Sequence, residues 1–308
     1  MRLLRTTTHA ATAAVLLAPL LAPPPLRAQA PATGLLVLLL PASPRATALG
    51  NAWVAGRDDY SLFYNPAQIA PTNGIGGSFA RYAPGAAMGA LTGATTVGSI
   101  TFGWGAQLAE LRAASDAIYP LTPASLVTSG PRSAASFVAA AGANRVFKGF
   151  RTGVALKYAE DRLDLSGRTT AAPVRRLLGD AGVSHSLYSG TVALAVQNIG
   201  DDGRPNLPMQ AALGWARQFQ PGQLDVGVAT QLLERRGWLS PAAGLELGYG
   251  WIEGWSASLR AGARRPETSG QRPLTFGGGL NADRLALDYA LEFFAGRRYG
   301  HHLGVRWR

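Results

Sequence analysis

The run Arg284–Phe293, RLALDYALEF, puts Leu285, Leu287, Tyr289, Leu291 and Phe293 on one side of an extended chain. Arg284, Ala286, Asp288, Ala290 and Glu292 fall on the other. A helix would scatter those charges around its surface, whereas a strand, with its two-residue period, sorts them to one face. Two further runs repeat the pattern. In Leu224–Leu232, Leu224, Val226, Val228 and Leu232 oppose Asp225, Gly227, Ala229 and Gln231; in Thr191–Gln197, Val192, Leu194 and Val196 oppose Thr191, Ala193, Ala195 and Gln197. An apolar face backed by a small or polar one is what a wall between lipid and a lumen requires.

Outward from these runs the alternation gives fourteen candidate strands, near 74–83, 86–96, 99–108, 133–142, 151–160, 178–187, 190–198, 208–219, 223–233, 241–250, 254–264, 272–281, 283–294 and 299–307. The gaps between them alternate in length. Val97-Gly98, Gln220-Pro221-Gly222 and Ala282 are short, whereas Ala109–Arg132, Asp161–Leu177 and Ile199–Leu207 are long. Membrane barrels have short turns at the periplasmic end and longer loops outside, so the sequence predicts an all-β transmembrane antiparallel barrel with both termini in the periplasm.

Composition agrees. The 308 residues are 47% hydrophobic and 15% charged, with 38 glycines, yet beyond the amino-terminal leader the longest wholly apolar candidate, Leu35–Leu40, is stopped by Pro41. No helical span is available. A secreted β-sandwich or propeller could share this composition, but has no reason to alternate short and long connections. The absence of cysteine excludes disulfides, zinc-thiolate sites and thiol catalysis. Arg2 and Arg5, the apolar run Ala10–Ala22 and Arg27-Ala28-Gln29-Ala30 read as a signal peptide over 1–30, directing the chain to the outer membrane of a Gram-negative-type cell. Its removal lowers the net charge from +11 to +8. With no basic helix or aromatic-basic motif, nucleic acid is not the expected partner. Outer-membrane lipid and anionic lipopolysaccharide fit better, beside a plain compositional bias to arginine.

Residues 31–72 break the pattern, and Ser43–Ala70 has no single period; this stretch is expected to fold as a plug inside a barrel spanning 73–308. Within it Asn65-Pro66 suits a helix start, either capping the structure or forming part of a hatch. Asp58 and Asp59 could pair with inward arginines, the plainer reading being a solvated pair; Arg45 belongs to the same segment. On the wall, Lys157, Asp225, Glu246, Arg260, Asp288, Glu292 and Arg306 take the inward face as a charged lumen lining. Glu160, Asp161 and Asp164 lie at the outer rim, where they could hold a divalent cation or form a solvated loop.

Enzymatic readings are poor. Ser184 and His185 alternate to opposite faces, as do His301 and His302, and Gly277-Gly278-Gly279 lies within a strand with no helix after it. No catalytic residue, metal or cofactor is expected. Trp and Tyr near the strand ends (Tyr158, Trp215, Trp238, Trp251, Trp255, Tyr299) suit the two membrane interfaces. The closing strand, with Tyr299, Leu303, Val305 and Trp307 on one face, resembles the signal read by the barrel-assembly machinery, departing from it in the final Arg308.

Several blocks resemble the PorV/PorQ family of outer-membrane proteins, relatives of the FadL-like fatty-acid channels. Arg45–Ala52 (RATALGNA), Asp58-Asp59 and Tyr64-Asn65-Pro66-Ala67 are similar to its amino-terminal signature, with Asn51 where glycine is usual. Gly153–Tyr158, Asp180 with Gly182, Gln197–Gly200, Leu207-Pro208 and Leu303–Arg306 follow in the family's order. The resemblance implies about fourteen strands around a plug. It implies either transport of hydrophobic or amphipathic small molecules, or a non-conducting role among the components of a type IX-like secretion apparatus.

Overall fold

The computed structural model describes residues 35–72, 74–83, 86–112, 133–164, 173–200, 207–267 and 270–307. The segment read as a signal peptide and the interior of the 109–132 gap lie outside them.

Fourteen antiparallel strands close into one barrel: β1 (Ile75–Ala83), β2 (Ala86–Val97), β3 (Ile100–Arg112), β4 (Ser133–Phe147), β5 (Phe150–Asp164), β6 (Val174–Leu187), β7 (Gly190–Ile199), β8 (Gln210–Phe219), β9 (Leu224–Arg235), β10 (Trp238–Ile252), β11 (Trp255–Arg264), β12 (Gln271–Ala282), β13 (Leu285–Phe294) and β14 (Arg298–Trp307). Each pairs with its neighbours in sequence, and β1 closes on β14 with Ile75 opposite Trp307 and Arg81 opposite His301. Closure leaves no open edge, so the backbone polar groups of the wall pair from strand to strand around the whole barrel, which lets it face hydrocarbon.

The side-chain alternation sets inside from outside. Along β14, Leu303, Val305 and Trp307 are exposed on the outer surface, while His302 and Arg306 are buried within. The apolar outer belt continues through Phe79, Leu91, Trp104, Leu156, Leu213, Leu245, Leu259 and Phe276. Short turns at one end connect β2 to β3, β4 to β5, β6 to β7, β8 to β9, β10 to β11 and β12 to β13; the longer connections after β3, β5 and β7 lie at the other. These are the turn end and the loop end below. In Lys148-Gly149 and Tyr188-Ser189 both residues have positive φ. That backbone twist matches the twist of the flanking strands and fixes their register.

Several strands outrun the alternation. β4 continues to Phe147, β5 to Asp164, β6 starts at Val174 and β10 spans Trp238–Ile252. Backbone pairing persists there, with Ser133 opposite Asp164 and Glu160 opposite Arg175. Beyond the lipid-facing belt an outward residue need not be apolar, so the ladder continues where the pattern fades.

Val154, 63% exposed, lies on the lipid face midway between the Lys148-Gly149 turn and Glu160 on β5. Val154→Arg should cost about 2–4 kcal/mol in denaturant unfolding from phospholipid vesicles, and Phe150→Arg, beside the turn, about 0–1 kcal/mol. Equal costs would contradict the placement of the belt.

Candidate functional site

Residues 35–72 fill the lumen. Their first element is a 3-10 turn, Leu36–Leu39, whose Val37 packs with the flanking Leu35 and Leu40 among Tyr82, Met88, Val138, Leu178, Leu207 and Phe294 at the loop end. Helix α1 (Pro44–Ala48) follows, started by Pro44 and capped by Ser43, whose Oγ accepts from the Ala46 N–H at 3.2 Å. Gly50 and Asn51, both at positive φ, end it. Besides glycine, asparagine is a residue that enters this left-handed region, and it does so here at Asn51. A second capped turn, Pro66–Gln68, uses both halves of Asn65: Oδ1 accepts from Ala67 N–H at 3.0 Å and Nδ2 donates to Val54 O at 2.8 Å.

The wall receives this segment through glycines and amides. A Cβ on Gly262 would stand 2.1 Å from Gly50 N, and one on Gly153 2.4 Å from the Pro66 carbonyl carbon, so backbone lies directly on backbone there. Around these contacts, inward side chains satisfy the plug's polar groups. Gln231 Oε1 accepts from Trp53 N–H (3.1 Å) and Val54 N–H (2.9 Å); Asn144 Nδ2 donates to Pro66 O (3.1 Å) and Ile69 O (2.8 Å); Gln197 Nε2 donates to Phe63 O (2.7 Å). Thr275 Oγ1 lies 3.1 Å from Gly50 N and 3.2 Å from Ala48 O. Gln197 and Gln231 stand out in sequence as inward-facing amides between alanines and glycines, yet nothing local announces the plug atoms they meet.

Asp58 and Asp59 are not solvated. They are 5% and 0% exposed, and Arg306 reaches both, with Nη2 3.7 Å from Asp58 Oδ2 and Nε 3.2 Å from Asp59 Oδ1. Thr92 Oγ1 donates to Asp59 Oδ2 at 2.7 Å, Ser61 N–H to Asp58 Oδ1 at 2.9 Å, and the Arg306 guanidinium lies 5.6 Å from the Tyr60 ring centre. Burial pushes the Asp58 carboxyl above the usual carboxylate range, Arg306 opposing it only in part, and also raises the Tyr60 and Tyr64 hydroxyls.

The lumen charges group into pairs and triads. Arg45 of the plug bridges Glu246 (Nη2–Oε1 2.6 Å), which also binds Arg260, and Arg260 in turn meets Asp288 at 2.6 Å. Lys157 binds Asp180 at 2.6 Å and Asn198 at 3.1 Å. Glu292 joins Arg264 and His302, the latter at 3.0 Å, and Arg235 makes a two-point bridge to Glu267 (3.1 and 2.9 Å). Asp225 stands apart: it is exposed next to the β8–β9 turn and accepts from Gln220 Nε2 at 2.8 Å. Of the rim acids, the Asp164 side chain lies outside the described ones, and the other two do not converge. Glu160 turns outward to Arg162 and Arg175, Asp161 turns inward to Leu35 N–H at 2.7 Å, and among the described residues no cluster of three His, Asp or Glu could hold a metal.

Two main cavities flank the plug. One of about 530 Å³ opens at the turn end against Arg45, Trp53, Arg57, Ser186, Thr191 and Glu246; another of about 80 Å³ lies toward the loop end against Leu39, Phe63, Asn51, Gln107, Gln210 and Arg235. They share no lining residue.

No protein-family model and no curated protein sequence matches the chain. The likeness lies in solved structures. The toluene transporter TodX of Pseudomonas putida is 12% identical, with 85% of this chain and 96% of that one covered at a TM-score of 0.54. The monoaromatic hydrocarbon channel CymD gives 10%, 86%, 95% and 0.58, and the toluene transporter TbuX of Ralstonia pickettii 12%, 86%, 98% and 0.52. This chain has their fold.

Arg306→Met would leave two buried carboxylates without their cation, costing about 3–5 kcal/mol and exposing residues 35–72 to protease in the folded barrel. Adding Asp58→Asn and Asp59→Asn should restore most of the protection. An unchanged digestion pattern in Arg306→Met would show that this ion pair does not hold the plug.

Proposed function

We propose that the chain is an outer-membrane barrel of PorV/PorQ type that passes hydrophobic or amphipathic small molecules. The observation that carries this reading is a lumen with separate cavities on the two sides of one internal plug. The wall supports placement in a membrane through its apolar outer belt, and the leader-like segment 1–30 supports export. With the turn end in the periplasm, the 530 Å³ cavity faces the periplasm and the smaller one the outside.

The linings favour amphipathic cargo over bare hydrocarbon. Leu38, Leu39, Leu40 and Phe63 meet Gln107, Gln197 and Gln210 around the outer cavity, so a solute there has both an apolar surface and amide partners. TodX, TbuX and CymD are described as carrying toluene or monoaromatic hydrocarbons. At about 80 Å³ the outer cavity is smaller than the roughly 150 Å³ cavity known to admit benzene, so passage of a ring requires the plug to shift.

One observation favours a second reading, a non-conducting interaction protein of a type IX-like secretion apparatus: the plug is bonded to the wall along its length. Vesicle uptake separates the two. Under the transport reading, vesicles holding the intact barrel take up small amphipathic aromatics faster than empty vesicles. Deleting Arg45–Phe63 should add a steady ion conductance in planar bilayers. No uptake by the intact barrel, with conductance appearing on deletion, would exclude transport and leave the interaction role.

A further inference from the structure

The outer surface at the loop end carries a charged group that the lumen does not use. On β5, Val154 and Leu156 face outward at 63% and 64% exposure, then Tyr158, and then the apolar face gives way to Glu160 and Arg162. On β6 the same change comes between Leu177, 69% exposed, and Arg175. Register aligns the two switches: Tyr158 is opposite Leu177 and Glu160 is opposite Arg175. This height marks the edge of the hydrocarbon.

Glu160 is the hub. Its Oε1 accepts from Arg162 Nε at 2.6 Å, and its Oε2 accepts from Arg175 Nε at 3.1 Å and from the Tyr158 hydroxyl at 2.6 Å. The carboxylate is 10% exposed, whereas the two arginine side chains are 69% and 61% exposed. Each guanidinium is thus tethered by its Nε edge, with most of the side chain turned outward. Two cations share one anion, so the group carries an excess positive charge. Of the described acids nearby, Asp161 turns into the lumen, and Glu110 stands two strands away, its register running through Ala135 to Arg162.

Stability alone does not call for this arrangement, because exposed ion pairs contribute about 0–1 kcal/mol. Held guanidinium groups suit a phosphate, whose oxygens match their planar donor geometry. Directly beneath lie Tyr158 and Leu177, on which acyl chains would rest, and Phe137 stands level with Glu160 on the neighbouring strand. With the loop end outside, as in the proposed function, the leaflet at this height is the outer one. We propose that Arg162 and Arg175, positioned by Glu160 and Tyr158, bind the phosphate of a phosphorylated glycolipid of the outer leaflet.

Native mass spectrometry of the folded, detergent-purified barrel with added lipid A tests this independently of conduction. The wild-type chain should retain diphosphorylated lipid A, and Arg162→Ala/Arg175→Ala should retain it about tenfold less or weaker still. Heat-modifiable migration confirms that the double variant is folded. Arg145→Ala, exposed at the turn end, should leave retention unchanged. Undiminished binding by the double variant, or equal binding of lipid A stripped of its phosphates, overturns the proposal. Equal retention of phosphatidylglycerol would make this a general lipid-phosphate site and overturn the outer-leaflet assignment, while leaving the transport reading untouched.

Discussion

A barrel of fourteen strands encloses more space than its inward side chains can fill, in contrast to barrels of about eight strands, whose interiors side chains can pack. Everything inside this molecule answers to that constraint. The filling is a second length of backbone, which brings peptide N–H and C=O groups that need partners once water is excluded. The wall meets the need in two ways. Inward glycines at 153 and 262 let plug backbone lie on strand backbone, and inward Gln, Asn and Thr side chains supply donors and acceptors where the two separate. The small inward residues that make the alternation visible in sequence are therefore also the receptor surface for the plug.

This explains which parts were legible. Strand parity follows from a local rule, apolar toward lipid and small or polar toward the lumen, so Leu285–Phe293 and Leu224–Leu232 could be sorted by inspection. The ends of β4, β5, β6 and β10 could not, because the rule lapses past the hydrocarbon while backbone pairing continues. Pairing partners across the lumen were harder still. Arg306 and Asp58 lie at opposite ends of the chain, and only closure of β1 on β14, with the plug folded beneath, brings them together. Arg264 and His302 were not singled out as lumen residues, since each reads as an ordinary inward position until Glu292 is seen between them.

The charge arrangement has its own logic. Ionised groups buried between plug and wall are costly unless each meets its opposite, and here the cations and anions gather into small local sets. Arg45 is the exception that links compartments: it belongs to the plug, yet completes the Glu246–Arg260–Asp288 set of the wall and lines the cavity at the turn end. Arg306 does the reverse, a wall cation serving plug carboxylates. Each removal from its partner would leave a charge behind on the other body, so electrostatics and backbone bonding oppose plug displacement together.

Under the proposed transport, that coupling bears on how a solute would pass. From Ala42, bound by Ser78, to Ile69, bound by Asn144, wall-facing bonds are distributed along the plug, so expelling it whole would break them all. The stretch Leu35–Leu40 differs in kind. It meets the wall chiefly through apolar packing, with backbone bonds to Asp161 and Ser136 as its polar ties, and borders the outer cavity through Leu38, Leu39 and Leu40. Apolar packing is non-directional and can be replaced by another apolar surface, whereas buried ion pairs cannot. A ligand with an apolar face would therefore exchange with Leu35–Leu40 far more cheaply than with Asp58–Asn65. The cost of opening falls unevenly along the plug, and the loop-end leucines are where it is lowest.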